Sequence, residues 1–366
     1  MKIPMVDLVS QYKGIRKELD AAVKEVMESG WFIMGPNVTG FEEEMAAYCG
    51  TRHAVACASG TDALLAALMA IGVGPHDEVV TTPFTFVATA EVIALLGAKP
   101  VYVDIKPDTY LIDPEAVKAA ITDKTRAIIP VHLFGQAADM DQINAAVAGR
   151  GITVIEDACQ AVGAAYKGKR TCSLGDMGCL SFFPSKNLGA YGDGGMILTS
   201  DDDLAKQLRM IRDHGSDRRY HHAILGLNSR LDAIQAAILR VKLKDLDAWN
   251  EARKDRAALY SELLKDADVI TPVTEEFNDH VFHQYSIRVK NRDALQKQLM
   301  DVGIASAVHY PIPLHLQQAF RLPDQAEGSF PVSEKTSQEI LSLPMYPELK
   351  EEHIQTIVEQ IIAQTG

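Results

Sequence analysis

Lys186 lies in Ser181-Phe182-Phe183-Pro184-Ser185-Lys186-Asn187, between an apolar strand-like run and the glycine-rich stretch Leu188-Gly189-Ala190-Tyr191-Gly192-Asp193-Gly194-Gly195. A lysine held at a strand end beside a tight glycine loop can be desolvated and kept partly neutral. Its amine is then nucleophilic toward an aldehyde. Most lysines are solvated surface charges, so Lys186 carries this reading only with partners. Ile152-Thr153-Val154-Ile155-Glu156-Asp157 supplies two carboxylates at the end of an apolar strand. Ligands of parallel α/β sheets bind beyond the carboxyl ends of strands. Alternation along the strand sends Glu156 and Asp157 to opposite sides, so one of them faces the ligand. A carboxylate there can keep a pyridinium nitrogen protonated and the ring an electron sink; the plainer alternative is an Asp that caps the next turn. Gln160, one turn further, can hydrogen-bond a ring substituent.

Ser59-Gly60-Thr61-Asp62 stands between a strand and an amphipathic helix. Gly60 allows close backbone approach, and the free N–H groups of a first helical turn suit a phosphate. Ser, Thr and Asp are also ordinary N-cap residues, so the motif is weak alone. The Ser181 hydroxyl, five residues before Lys186, can reach the same phosphate. Pro83-Phe84-Thr85-Phe86-Val87-Ala88 follows another strand end, where an aromatic can stack on a flat ring or simply fill core. Phosphate cradle, stacking aromatic, carboxylate and lysine are together the parts of a pyridoxal phosphate site.

The elements that must position these residues alternate along the chain. His53–Cys57, Glu78–Thr81, Val101–Val103, Ala127–Val131 and Ile152–Ile155 read as strands. Thr61–Ile71, Val87–Leu96, Pro114–Ala120 and Met140–Ala148 read as helices. Such alternation predicts an α/β domain with a mostly parallel sheet flanked by helices. Leu231–Leu264 is helix-forming and glycine-free, and reads as one long helix. Beyond it, a β-like run (Tyr285–Val289), two helical segments and proline-rich connections predict a smaller α+β domain. The expected domains are 1–248 and 249–366.

A chain of 366 residues exceeds the roughly 250–300 at which single cores stop growing. Its hydrophobic share of 47% and charged share of 23% are those of a globular protein. A formal net charge of −13 argues against nucleic acid or anionic membrane as the main partner, while leaving room for a locally basic pocket. No run approaches a membrane span and no apolar signal core opens the chain, so the expected location is cytoplasmic. The cysteines Cys49, Cys57, Cys159, Cys172 and Cys179 form no Cys-x-x-Cys pair. Reduced thiols and no metal site are expected.

The runs Ser59–Leu64, Glu156–Gln160, Ser181–Asn187, Gly192–Gly195 and Asn228-Ser229-Arg230-Leu231-Asp232 resemble those of the pyridoxal phosphate-dependent nucleotide-sugar aminotransferases. These form the DegT/DnrJ/EryC1/StrS family, with the aspartate aminotransferase fold (fold type I), and the resemblance extends from about Asp7 to Pro347. It implies that Lys186 carries the cofactor Schiff base, Asp157 pairs with the pyridine nitrogen and Gln160 contacts the ring hydroxyl. It further implies that Gly60, Thr61, Asp62 and Ser181 hold the phosphate and that Phe86 stacks on the ring. Asn228 resembles the asparagine that reaches the phosphate of the neighbouring subunit, which implies a homodimer with shared active sites. Cys159 stands where many relatives have alanine, and Phe86 where some have tyrosine or tryptophan.

Within the family the chain is most similar to enzymes that aminate C3 of a UDP-linked 3-oxo-2-acetamido hexuronic acid, with L-glutamate as donor, for cell-surface polysaccharides such as O-antigen. A guanidinium would recognise the uronate carboxylate bidentately. Arg230 is the first candidate, with His309 and Tyr310 as sugar contacts. His309 can equally be a structural histidine near a proline turn. Arg218, Arg219, His221 and His222 are either a solvated basic loop or diphosphate contacts; no acidic or cysteine spacing marks them as metal ligands. The alternatives are a dTDP- or UDP-linked 3- or 4-oxo deoxysugar as substrate, a sugar dehydratase, and a non-catalytic regulator. The dehydratases of the family replace the Schiff-base lysine by histidine, unlike this chain. The regulator would need a DNA-binding extension, which the sequence does not show.

Overall fold

The short apolar runs build the central sheet, and its inner strands bury both of their faces. A computed structural model describes residues 2–322 and 325–365; Met1 and Gly366, the outer ends of the expected domains, lie outside the described residues. Two helices come first, α1 (Leu8–Ser29) and α2 (Pro36–Cys49). The alternating region follows: β1 (His53–Cys57), α3 (Gly60–Ala70), β2 (Glu78–Thr81), α4 (Ala88–Leu95), β3 (Lys99–Tyr102), α5 (Pro114–Ala120), β4 (Thr125–Ile128), α6 (Met140–Val147) and β5 (Thr153–Asp157). Then come β6 (Met177–Ser181), β7 (Gly195–Thr199) and α7 (Asp202–Ile211). The strands form one seven-stranded sheet in the order β1–β7–β6–β5–β4–β2–β3. From β3 to β6 neighbours run parallel, whereas β7 runs against both β6 and β1.

Period-two alternation splits each strand between two cores. In β1, Ala54 and Ala56 pack with Phe41 and Met45 of α2, while Val55 and Cys57 pack with Leu64 and Leu68 of α3. The sheet is therefore covered by helices on both faces, as the alternating sequence predicts. At the carboxyl ends of β1 and β6, Cys57 and Ser181 both lie opposite Gly195, the first residue of β7. A Cβ at Gly195 would collide with the Ser59 carbonyl, so a glycine there lets the start of α3 come down onto the sheet edge.

The long helix expected over 231–264 is two helices, α8 (Ala233–Leu243) and α9 (Leu246–Leu263). The break separates two packing duties. Ala236 and Leu239 of α8 pack against the sheet-side core, and Ala257 and Tyr260 of α9 pack in a second core. Residue 248 lies inside α9. The second core contains β8 (Tyr285–Arg288), α10 (Arg292–Asp301), β9 (Ile340–Leu343) and α12 (Glu351–Thr365), with β8 and β9 paired antiparallel, and α11 (Pro331–Glu339) leads into β9. The reading of one strand and two helical segments there is corrected by β9 and a third helix. The run Ile340-Leu341-Ser342-Leu343 follows α11 without a break, so no turn signal separates it from the helix. Ile3 also joins this core, bridged to Ile304. Among the described residues, no helix is long and apolar enough to cross a membrane.

Candidate active site

A cavity of about 410 Å³ opens at the carboxyl ends of β1, β2, β5 and β6, and is closed on its far side by 283–284 and 309–310. That volume is within the usual range for a small-molecule site. Asp157, at the last position of β5, faces the cavity; its Oδ2 accepts from Thr89 Oγ1 (2.8 Å) and its Oδ1 from Cys159 N–H (3.3 Å). The Thr89 hydroxyl has one hydrogen, and it goes to Asp157. The neighbouring Thr85 Oγ1, 3.1 Å away, therefore donates to Thr89. Glu156 points to the other side of the sheet. It accepts from the N–H groups of Cys172 (2.8 Å), Leu174 (2.7 Å) and Gly175 (2.8 Å), and its Oε2 lies 2.9 Å from His132 Nε2. His132 Nδ1 accepts from Ala138 N–H (3.1 Å), so Nε2 carries the proton toward Glu156. Of the two carboxylates, Asp157 faces the ligand space and Glu156 pins a loop.

Lys186 reaches the same cavity from the turn after β6, where its N–H donates to the Phe183 carbonyl (2.8 Å). Desolvation holds its amine below the ordinary lysine value, opposed by nearby Cys159 and Asp157. Burial, with Asp157 beside it, pushes the Cys159 thiol well up, so that group stays a neutral thiol. Gln160 is oriented at both ends: its Oε1 accepts from Phe134 N–H (2.8 Å) and its Nε2 donates to the Tyr310 hydroxyl (2.9 Å). Phe86 is 53% exposed and lines the cavity, its ring tilted by 47° to that of Tyr310 at 6.3 Å between centroids. His309 Nδ1 lies 2.9 Å from Ser342 Oγ; burial, then the Lys186 charge, lowers its pKa to about 4, so it is neutral at ordinary pH.

The phosphate end is built from backbone. Ser59 caps α3, its Oγ accepting from Asp62 N–H (3.0 Å) and its carbonyl from Ala63 N–H (3.0 Å). The amides of Gly60 and Thr61 remain at the open end of the helix, beside the Ser181 hydroxyl. A Cβ on Gly60 would come within 2.7 Å of Ser181 Cβ and 2.9 Å of Cys159 Sγ. The cradle thus requires glycine there. A helix N-terminus, a hydroxyl, a held carboxylate, an exposed aromatic face and a desolvated lysine share one cavity, and these residues fit pyridoxal phosphate.

Three sequence candidates lie elsewhere. The Asp62 carboxylate, expected at the phosphate, accepts from Ser229 Oγ (2.6 Å) and is outside the cavity lining. Arg230, expected at the substrate carboxylate, is paired with Asp213 (3.2 Å) and does not line the cavity of its own protomer. Asn228 is exposed and likewise outside it. Arg218, His221 and His222 form an exposed hairpin. Conversely, Thr89 and His283 contact site groups but carry no motif. Thr89 sits one residue past the Pro83–Ala88 run, and His283 lies two residues before β8. Among the described residues, no group of three or more His, Cys, Asp or Glu is placed to hold a metal ion.

The fold and the lysine–aspartate cavity define a fold type I pyridoxal phosphate enzyme. Residues 13–362 match the DegT/DnrJ/EryC1/StrS aminotransferase family, and the chain belongs to it. It is 54% identical to a "pleiotropic regulatory protein" of Geobacillus stearothermophilus, covering 99% of this chain and 98% of that protein. It is 50% identical to the UDP-2-acetamido-2-deoxy-3-oxo-D-glucuronate aminotransferase of Pseudomonas aeruginosa, covering 97% and 98%. The crystal structure of S. venezuelae DesV in complex with a ketimine intermediate superposes with a TM-score of 0.97 at 42% identity, covering 100% of this chain and 98% of that one. The protein is a pyridoxal phosphate-dependent aminotransferase acting on oxo-sugar nucleotides.

Proposed function

We propose that the protein transfers the amino group of L-glutamate to C3 of a UDP-linked 3-oxo-2-acetamido hexuronic acid, giving the 3-amino sugar nucleotide and 2-oxoglutarate. The observation that carries the aminotransfer reading is the Lys186 amine and the held Asp157 carboxylate facing one cavity, with the first turn of α3 at its end. The uronate reading is supported by the relative at 50% identity, whose name specifies that sugar. The product would serve cell-surface polysaccharide synthesis, such as O-antigen, in the cytoplasm.

When bound, pyridoxal phosphate supplies an electron sink for charge developing on the donor carbon. Gly60, Thr61 and Ser181 hold its phosphate, Phe86 its ring face, Gln160 its ring hydroxyl and Asp157 its ring nitrogen. Thr89 and the Cys159 amide fix the Asp157 carboxylate before any ligand arrives, which limits reorganisation during reaction. The Lys186 amine takes the proton from the donor's Cα. In the second half of the cycle it delivers a proton to C3 of the sugar. Desolvation shifts that amine toward its neutral, proton-accepting form. His309 and Tyr310 contact the sugar.

The working unit in this proposal is a homodimer with shared sites. Trp31 (58% exposed), Tyr220 (80%) and Leu225 (89%) are large apolar side chains left to solvent by one chain, as expected of a surface that meets a second copy. The segment bearing Asn228 and Arg230 then completes the partner's cavity, and Arg230 reads the uronate carboxylate there. The discriminating assay couples 2-oxoglutarate release from glutamate to UDP-3-oxo sugars with and without the C5 carboxylate. Preference for the uronate, lost in Arg230→Ala, is expected. Equal rates on both sugars remove Arg230 from this role, and preference for a dTDP-linked deoxysugar replaces the substrate. The regulatory name of the relative at 54% identity makes one contrary outcome worth stating: purified protein without glutamate-dependent spectral change would restore the non-catalytic reading.

A further inference from the structure

His283 lines the cavity together with Lys186, yet it has no part in the mechanism above. It is 6% exposed. Its Nδ1 lies 3.1 Å from Asn187 Oδ1, and Asn187 is the residue that follows the catalytic lysine. A buried chain of amides decides which atom donates. Asn250 faces the Val162 carbonyl (3.2 Å), which can only accept, so the Asn250 atom there is its NH2 and its other atom is oxygen. That oxygen, at 2.8 Å, and the Val281 carbonyl, at 3.1 Å, both take hydrogens from Asn187 Nδ2. Asn187 therefore presents its carbonyl oxygen to His283, and His283 Nδ1 must carry a hydrogen. Burial first, then the positive charges of Lys186 and Arg253, hold His283 well below the ordinary histidine value, so the ring keeps a single proton. The proton is on Nδ1, and Nε2 is left with its lone pair.

We propose that His283 is a positioning residue for Lys186: its unprotonated Nε2 accepts an N–H of the Lys186 amine once that amine is free, and so aims the remaining lone pair at the carbon that loses or gains the proton. His283 itself neither gains nor loses a proton in this role. A neutral acceptor fixed by a hydrogen-bond chain can orient an amine without competing for the transferred hydrogen. The link through Asn187 ties its position to the backbone that carries Lys186. This inference rests on Lys186 being the proton-moving amine.

The test has two parts, both on the holoenzyme. Long-range 1H–15N correlation spectra of [15N-His] protein, with His283 assigned by signal loss in His283→Asn, should show Nδ1 protonated and Nε2 bare. This needs no active variant, and an Nε2–H tautomer overturns the proposal. In stopped flow, the glutamate half-reaction, read from cofactor absorbance, should slow on the order of 10²-fold in His283→Ala, the cost expected of a misaimed reacting group. The glutamate saturation midpoint should stay unchanged, and His283→Gln, which returns an acceptor oxygen, should recover part of the rate. A wild-type glutamate half-reaction with a slowed sugar half-reaction would show that His283 reads the sugar instead, and overturns the role. A glutamate half-reaction that survives in Lys186→Ala would instead remove the lysine assignment, a failure separate from that of His283.

Discussion

Glu156 and Asp157 are consecutive, both buried and both carboxylates at the end of β5, yet they serve opposite sides of the sheet. Behind the sheet Glu156 is saturated by three backbone N–H groups and His132, all within the frame. In front, Asp157 is held by one hydroxyl and one amide and keeps capacity toward the cavity. The same division separates two desolvated lysines. Lys242 of α8 is fully buried, with its ammonium 2.6 Å from the Gly189 carbonyl and over the Tyr191 ring; Lys186 opens to the cavity. Burial therefore does not mark a catalytic group; burial with an unfilled side does.

The front and the back should separate experimentally. The largest effect is expected for Asp157→Ala, with turnover down on the order of 10³-fold and a stability loss of only about 1–2 kcal/mol, since two hydrogen bonds rather than four are given up. Glu156→Ala should do the reverse. Denaturant unfolding should show a loss of about 3–5 kcal/mol, because three amides and a histidine lose their acceptor, while kcat of the folded fraction stays within a few-fold. A fall in kcat to match Asp157→Ala would break the contrast.

Lys242 gives a pH test of the same idea. Desolvation lowers its pKa from 10.5 to about 8, so between those values the unfolded chain binds more protons than the folded one. Wild-type stability should accordingly rise by about 3 kcal/mol from pH 8 to 10.5 relative to Lys242→Met, read as the difference between their unfolding free energies. A flat difference would mean that the Gly189 carbonyl and the Tyr191 ring keep the ammonium charged throughout. The smallest effect is expected for Thr89→Val, which frees one Asp157 oxygen. The kcat should fall by about tenfold and the stability by about 1 kcal/mol.

Much of this contrast was legible in the sequence, for reasons that are local. Period-two strands and capped helices announced the sheet, and alternation alone placed Glu156 and Asp157 on opposite sides. Which one faced the ligand required knowing where the 170–175 loop folds back. The break in 231–264 was hidden because Lys244 and Asp245 are compatible with helix; the two packing surfaces on either side end α8. His283 and Thr89 were missed because their roles come from partners distant in sequence, Asn187 and Asp157. Asp62 shows the converse: a residue at a phosphate-binding turn can spend its side chain on Ser229.

The central claim, that Lys186 is the amine bound to the cofactor, can be tested by borohydride reduction of the holoenzyme followed by peptide mapping. The account predicts a single phosphopyridoxyl group on the peptide containing Ser185-Lys186-Asn187. A label on Lys242 or any other lysine, with Lys186 unmodified, would contradict it.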